Sequence, residues 1–158
     1  MTPIILIDSL AEFLKEVNKN YFSFEDKIKD TPLKIESGHI NIRDYAKEKK
    51  APAIEVSLLK VVDAPLDLSG GESTAFVRLY FVTYCEEKSG AWRELYNWVE
   101  FNRQALLKNK FIAKYFRLVN DLVSQYPEPV DQPVPTWVGF IDLEYNIPQV
   151  QEVFNYEY

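Results

Sequence analysis

The sequence predicts an α+β fold: a mixed, mainly antiparallel sheet of four to five strands, with two main helices packed on one face. Three observations carry that expectation. Residues 74–86 alternate, with Ala75, Val77, Leu79 and Phe81 making one wholly apolar side. Residues 137–145 alternate again. Two stretches, one opening the chain and one between those strands, place apolar residues at helical spacing.

Taken in order, Thr2-Pro3 reads as a helix start, because Thr can cap and Pro lacks only an N–H that the first turn leaves unused. Ile7, Leu10, Ala11, Leu14 and Val17 then form an apolar stripe, with Asp8, Glu12, Lys15, Glu16 and Asn18 on the other side of a helix over residues 3–19. Residues 20–52 are punctuated by Pro32 and Gly38. Within them, residues 33–36 and 39–43 alternate as short strands or an edge hairpin, and the charged run 44–50 is a helical turn or solvated loop.

Residues 53–62 form a strand with Ile54, Val56 and Leu58 on one side. Residues 63–73 contain Pro65 and Gly70-Gly71 and must connect, projecting from the body. The strand 74–86 comes next, its second side built from Phe76, Arg78, Tyr80, Val82 and Tyr84. Helices on one face of a sheet leave such an aromatic, partly polar second face to meet something else.

A helix starts after Ser89-Gly90, with Trp92, Leu95, Val99, Asn102 and Leu106 as its buried stripe and Trp98 and Ala105 at the flanks. It ends near Asn109, a residue tolerated in the left-handed conformation. Phe111-Ile112 continues a turn and residues 115–119 form a strand. Pro127, Pro129, Pro133 and Pro135 make 120–136 an extended, ordered loop. The last strand sets Trp137, Gly139, Ile141, Leu143 and Tyr145 against Val138, Phe140, Asp142 and Glu144, and Pro148 limits its far end. The organisation expected is one α+β domain over 1–148 and an aromatic, acidic tail over 149–158.

Composition narrows the function classes. The chain has 158 residues, 47% hydrophobic and 15% aromatic, enough to build a core. A net charge of −6 argues against non-specific binding to nucleic acid or anionic lipid. No basic stretch precedes the apolar run 4–7 and no apolar run approaches bilayer length, so neither a secretory signal nor a membrane partner is expected.

Cys85 and His39 stand alone, which excludes a zinc-type site within one subunit and leaves no cofactor to expect. Cys85 is expected as a small buried hydrophobe and His39 as a surface or structural residue. Asp142 and Glu144 lie about 7 Å apart on one strand face, close enough for acid–base work or a divalent cation. The strand's need for a polar face is enough to explain them, and that is the reading preferred. No catalytic residue is assigned. Lys108, Lys110, Lys114 and Arg117 cluster near the second helix's end, where they suit its dipole or an acidic partner.

The segments 75–84 (Ala-Phe-Val-Arg-Leu-Tyr-Phe-Val-Thr-Tyr), Gly90-Ala91-Trp92 with Asn97 and 103–107, Phe116-Arg117-Leu118 and 135–141 (Pro-Thr-Trp-Val-Gly-Phe-Ile) resemble tail terminator or tail-completion proteins of long-tailed bacteriophages and prophages. The resemblance covers roughly residues 53–148. It implies a helix, strands reaching into a hairpin, a long helix and two more strands. It also implies a homo-hexameric ring that caps the tail tube, ends its polymerisation and offers a surface to head-connector or neck proteins. The place implied is the virion tail, after synthesis in the host cytoplasm.

The resemblance brings no interface residue with it; the second face of the central strand (Phe76, Arg78, Tyr80, Tyr84), the 63–73 connection (Asp67, Leu68) and the aromatic tail (Phe154, Tyr156) supply the expected protein-interface residues, with the chain itself and the tail tube protein as the partners the resemblance implies. The alternative is an acidic inhibitor or immunity-type protein that binds a basic partner. A small enzyme built on Asp142 and Glu144 ranks third.

Overall fold

A computed structural model describes residues 2–19, 21, 33–38, 52–64, 72–84, 91–128, 131–132 and 136–148. Two helices, α1 (Pro3–Asn18) and α2 (Ala91–Lys108), accompany six strands: β1 (Lys34–Ser37), β2 (Ala53–Asp63), β3 (Glu72–Tyr84), β4 (Phe111–Ile112), β5 (Phe116–Gln125) and β6 (Thr136–Pro148). The strands form one mixed sheet of order β1-β2-β3-β6-β5-β4. Only β1 runs parallel to its neighbour; the other pairs are antiparallel.

The expected α+β class holds, but four to five strands becomes six. The strand not expected is β4; it and β1, which answers to the short strand read at 33–36, sit at the two edges. Residues 34–37 join as a parallel edge strand against Ala53–Val56. Residues 39–43, expected as a second short strand, lie outside the described residues. Phe111-Ile112 is not a turn but a strand on Arg117 and Phe116. β5 runs on to Gln125 through six residues expected in the loop, at the cost of a register shift between Val119 and Val123.

The sheet's inner face and both helices share one core. Ala75, Val77, Leu79 and Phe81 lie directly opposite Tyr145, Leu143, Ile141 and Gly139. Leu6, Leu10 and Leu14 of α1 and Leu95, Trp98, Val99 and Leu106 of α2 close over these residues. Trp98 meets Phe81 edge-on at 5.2 Å.

Four details of the helices depart from expectation. Thr2 makes no side-chain cap; the Ile5 N–H donates to the Thr2 carbonyl instead. Trp92 is 39% exposed, and the fully buried Trp98 takes the centre of the stripe. Asn109 is not among the described left-handed residues; its side chain donates to the Ala105 carbonyl and ends the helix that way.

Asn18, set on the polar side by its spacing, is buried. Its amide nitrogen donates to the Asn102 oxygen at 2.7 Å and to the Leu14 carbonyl at 2.8 Å. Its oxygen accepts the Trp98 indole N–H at 2.8 Å. Asn102 in turn donates to the Trp98 carbonyl at 2.9 Å. A buried amide pair satisfied on both sides joins α1 to α2.

Candidate protein interface

The outer face of the sheet is built by register. β3 and β6 place Phe76 opposite Glu144, Arg78 opposite Asp142 and Tyr80 opposite Phe140. β2 adds Lys60 beside Phe76, Ser57 beside Arg78 and Glu55 beside Tyr80. Directly opposed side chains lie close enough to interact, so three predicted interface residues gain fixed neighbours.

Arg78 is the centre. Its Nε and Nη2 donate to the two Asp142 carboxylate oxygens at 2.7 and 3.0 Å. Its guanidinium lies 4.4 Å from the Phe140 ring centre and 5.8 Å from that of Tyr80. The Asp142 hydrogen bond raises the Arg78 pKa beyond its ordinary value, against the opposing effect of burial, so the guanidinium keeps its charge. Below it, the Lys60 ammonium sits 4.5 Å over the Phe76 ring. Glu144 accepts a hydrogen bond from Asn120.

Chemically, this is a plate of rings and matched charge. The Asp142 and Glu144 carboxylates are held by Arg78 and Asn120 rather than converging on a cavity. Arg78 is already matched by a carboxylate, so its charge is not presented to an anion. A stiff arginine framed by aromatic rings is a composition enriched where proteins bind proteins. The face is not uniformly open: Ala53, Glu55, Val82 and Val138, at one end, are buried.

Tyr84 ends β3 opposite Thr136. Asp67, Leu68, Phe154 and Tyr156 lie outside the described residues, as do Cys85 and His39. Phe140 was missed as an interface residue. Its alternation puts it on the Asp142 face, but only the β3–β6 register puts it under Arg78.

A second surface also escaped the sequence. Trp92, Tyr96, Pro127, Gln132 and Trp137 line a groove of about 300 Å³. The Tyr96 and Tyr126 rings meet at 4.0 Å, tilted by 43°, and the Tyr126 hydroxyl pKa is raised, first by burial and then by Tyr96. Gly139 lies beneath: a Cβ there would meet the Tyr126 ring at 3.0 Å. Gln132 holds the Val138 backbone on both sides, accepting its N–H at 2.8 Å and donating to its carbonyl at 2.9 Å.

No family model matches the chain, and no curated protein matches it. Among solved structures, a chain of one described as "Virion of native gene transfer agent (GTA) particle" is similar to it at 16% identity. That match covers 87% of this chain and 91% of that one, with a TM-score of 0.39.

Proposed function

We propose that this protein is a structural component of a phage-like particle, and within that class a tail terminator. On this reading it forms a ring on the end of the tail tube, stops its growth, and presents its other side to neck proteins. The observation that carries the reading is the outer plate of Phe76, Arg78, Tyr80 and Phe140, stiffened by the Arg78–Asp142 pair. The order of helix, hairpin, long helix and two strands agrees with the plan implied by the sequence resemblance. The reading assigns no chemistry to Asp142 or Glu144 and no cofactor.

The test is retention by a tail tube protein encoded in the same gene neighbourhood. Wild-type protein is expected to bind tube ends and appear as a ring in electron micrographs. Arg78→Ala and Tyr80→Ala are expected to bind at least about 30-fold more weakly while remaining folded, the cost of about 2 kcal/mol typical of a hot spot. Folded wild-type protein that leaves tube ends bare and free to grow would overturn the reading. A tight one-to-one complex with a basic protein would favour the inhibitor class instead.

A further inference from the structure

The two edges of the sheet carry opposite charge at the same height. Val62, Thr74, Asn146, Arg117 and Phe111 occupy one cross-strand row, from β2 across β3, β6 and β5 to β4. Four strand spacings, about 19 Å, separate its ends.

At the β2 end, the hairpin stands clear of the helices. Leu59, Val61 and Val62 are exposed there, Val62 to 47%. Among the described residues, β1 covers β2 only as far as Val56. Asp63 and Glu72 are the acidic residues of this end; each accepts a hydrogen bond from a neutral neighbour, Ser73 and Asn146, and among the described residues neither is ion-paired.

At the β4–β5 end, Phe111 is 60% and Tyr115 57% exposed. Around them stand Lys108, Lys110, Lys114 and Arg117, all exposed and, among the described residues, without an acidic partner. In a chain of net charge −6, that is a local excess of positive charge. A depression of about 470 Å³ lies beside them, lined by Leu107, Leu118 and Leu122 together with Arg103, Lys110 and one acid, Asp121.

The turn that presents Lys114 is strained. Ala113 and Lys114 have φ of 51° and 66°, and the Tyr115 N–H donates to the Ile112 carbonyl. That is the φ pattern of a tight hairpin turn usually given to Asn and Gly. Ala and Lys are held in it at a cost, as happens where a surface is kept for use.

We infer that the acidic, apolar hairpin end of one copy docks on the basic, aromatic corner of a second copy. The contact is heterologous: each copy offers one end and receives the other, as a ring requires. The inference rests on the assembly reading above and names its surface, one distinct from the Arg78 plate.

The experiment is charge reversal read by sedimentation velocity, with circular dichroism as the check on folding. Asp63→Lys with Glu72→Lys reverses the hairpin end; Lys110→Glu with Arg117→Glu reverses the corner. Each variant alone is expected to self-associate about 100-fold more weakly than wild type, because like charges then face each other. A one-to-one mixture is expected to regain association, since every hairpin then meets a corner of opposite sign.

Should a reversal fail to fold, Val62→Ser and Phe111→Ser remove the apolar part of each end and are expected to weaken association in the same way. Reversals that associate like wild type overturn the contact and leave the assembly reading standing. Wild-type protein that stays monomeric to its solubility limit overturns the contact between free copies. Retention by the tail tube protein then decides the assembly reading by itself.

Discussion

Tyr145 sits in the core with its hydroxyl buried and, among the described residues, without a hydrogen-bond partner. A stranded hydroxyl costs about 1–3 kcal/mol, whereas its removal leaves the ring's packing intact. Tyr145→Phe is therefore expected to be neutral or stabilising by up to about 1 kcal/mol in chemical denaturation. Burial raises the Tyr145 pKa above its ordinary value of 10.0. The folded state then keeps its proton where the unfolded chain loses it. Stability from this group is complete below about pH 10 and falls as pH rises further. Tyr145→Phe is expected to flatten that alkaline loss in a pH series of melts; an unchanged slope would contradict the assignment.

Arg78 makes the opposite case. Its side chain and that of Asp142 are each 28% exposed, and a pair open to water contributes only about 0–1 kcal/mol to folding. Arg78→Ala is expected to lower stability by no more than about 1 kcal/mol in the same assay. Its larger effect belongs to binding. Gly139 is a third kind of residue, required for space and not for a special φ. Gly139→Ala would press on Tyr126 and is expected to cost about 1–3 kcal/mol, with a change in tyrosine fluorescence as the ring leaves Tyr96.

Elements differ in how far residue patterns reveal them. β3 and the body of β6 were legible because both alternate strictly and bury one side, so their facing apolar sets could be named. β4 was not, since two residues have no period. The far half of β5 was hidden by Asn120, whose φ of 58° sits in a bulge that breaks the alternation. Asn18 was misplaced because helical spacing sorts polar residues outward, and only a partner from α2 makes burial tolerable. Asn18→Leu removes the acceptor of the Trp98 N–H and a partner of Asn102, so it is expected to cost about 2–4 kcal/mol. The double change with Asn102→Leu should cost less than the sum, a coupling measurable by a mutant cycle. In the β4–β5 turn, Lys114→Gly removes one strained φ and is expected to raise stability by about 1 kcal/mol in thermal melts.

For the whole molecule, the plate was half legible. Phe76, Arg78 and Tyr80 stand out from the sequence of β3, but their companions come from a strand more than sixty residues on. The two charged edges were less so: Lys108, Lys110, Lys114 and Arg117 could be seen as a cluster, yet nothing in one dimension sets them level with Asp63. An assembly joined through such edges is expected to loosen as ionic strength rises, because exposed charges are screened within about 8–10 Å at 0.1–0.15 M salt. Light scattering across a salt series checks this, and salt-insensitive association would point instead to the aromatic plate as the sole contact.

Gln132 stands in for a missing neighbour. By answering both the donor and the acceptor of Val138, its amide does at one position what a strand does along its length. The Val138 amide should thus resist deuterium uptake as if it lay inside a ladder, yet open on the timescale of the segment bearing Gln132. One peptide proton becomes a clock for that segment, readable by NMR without any label on the loop itself.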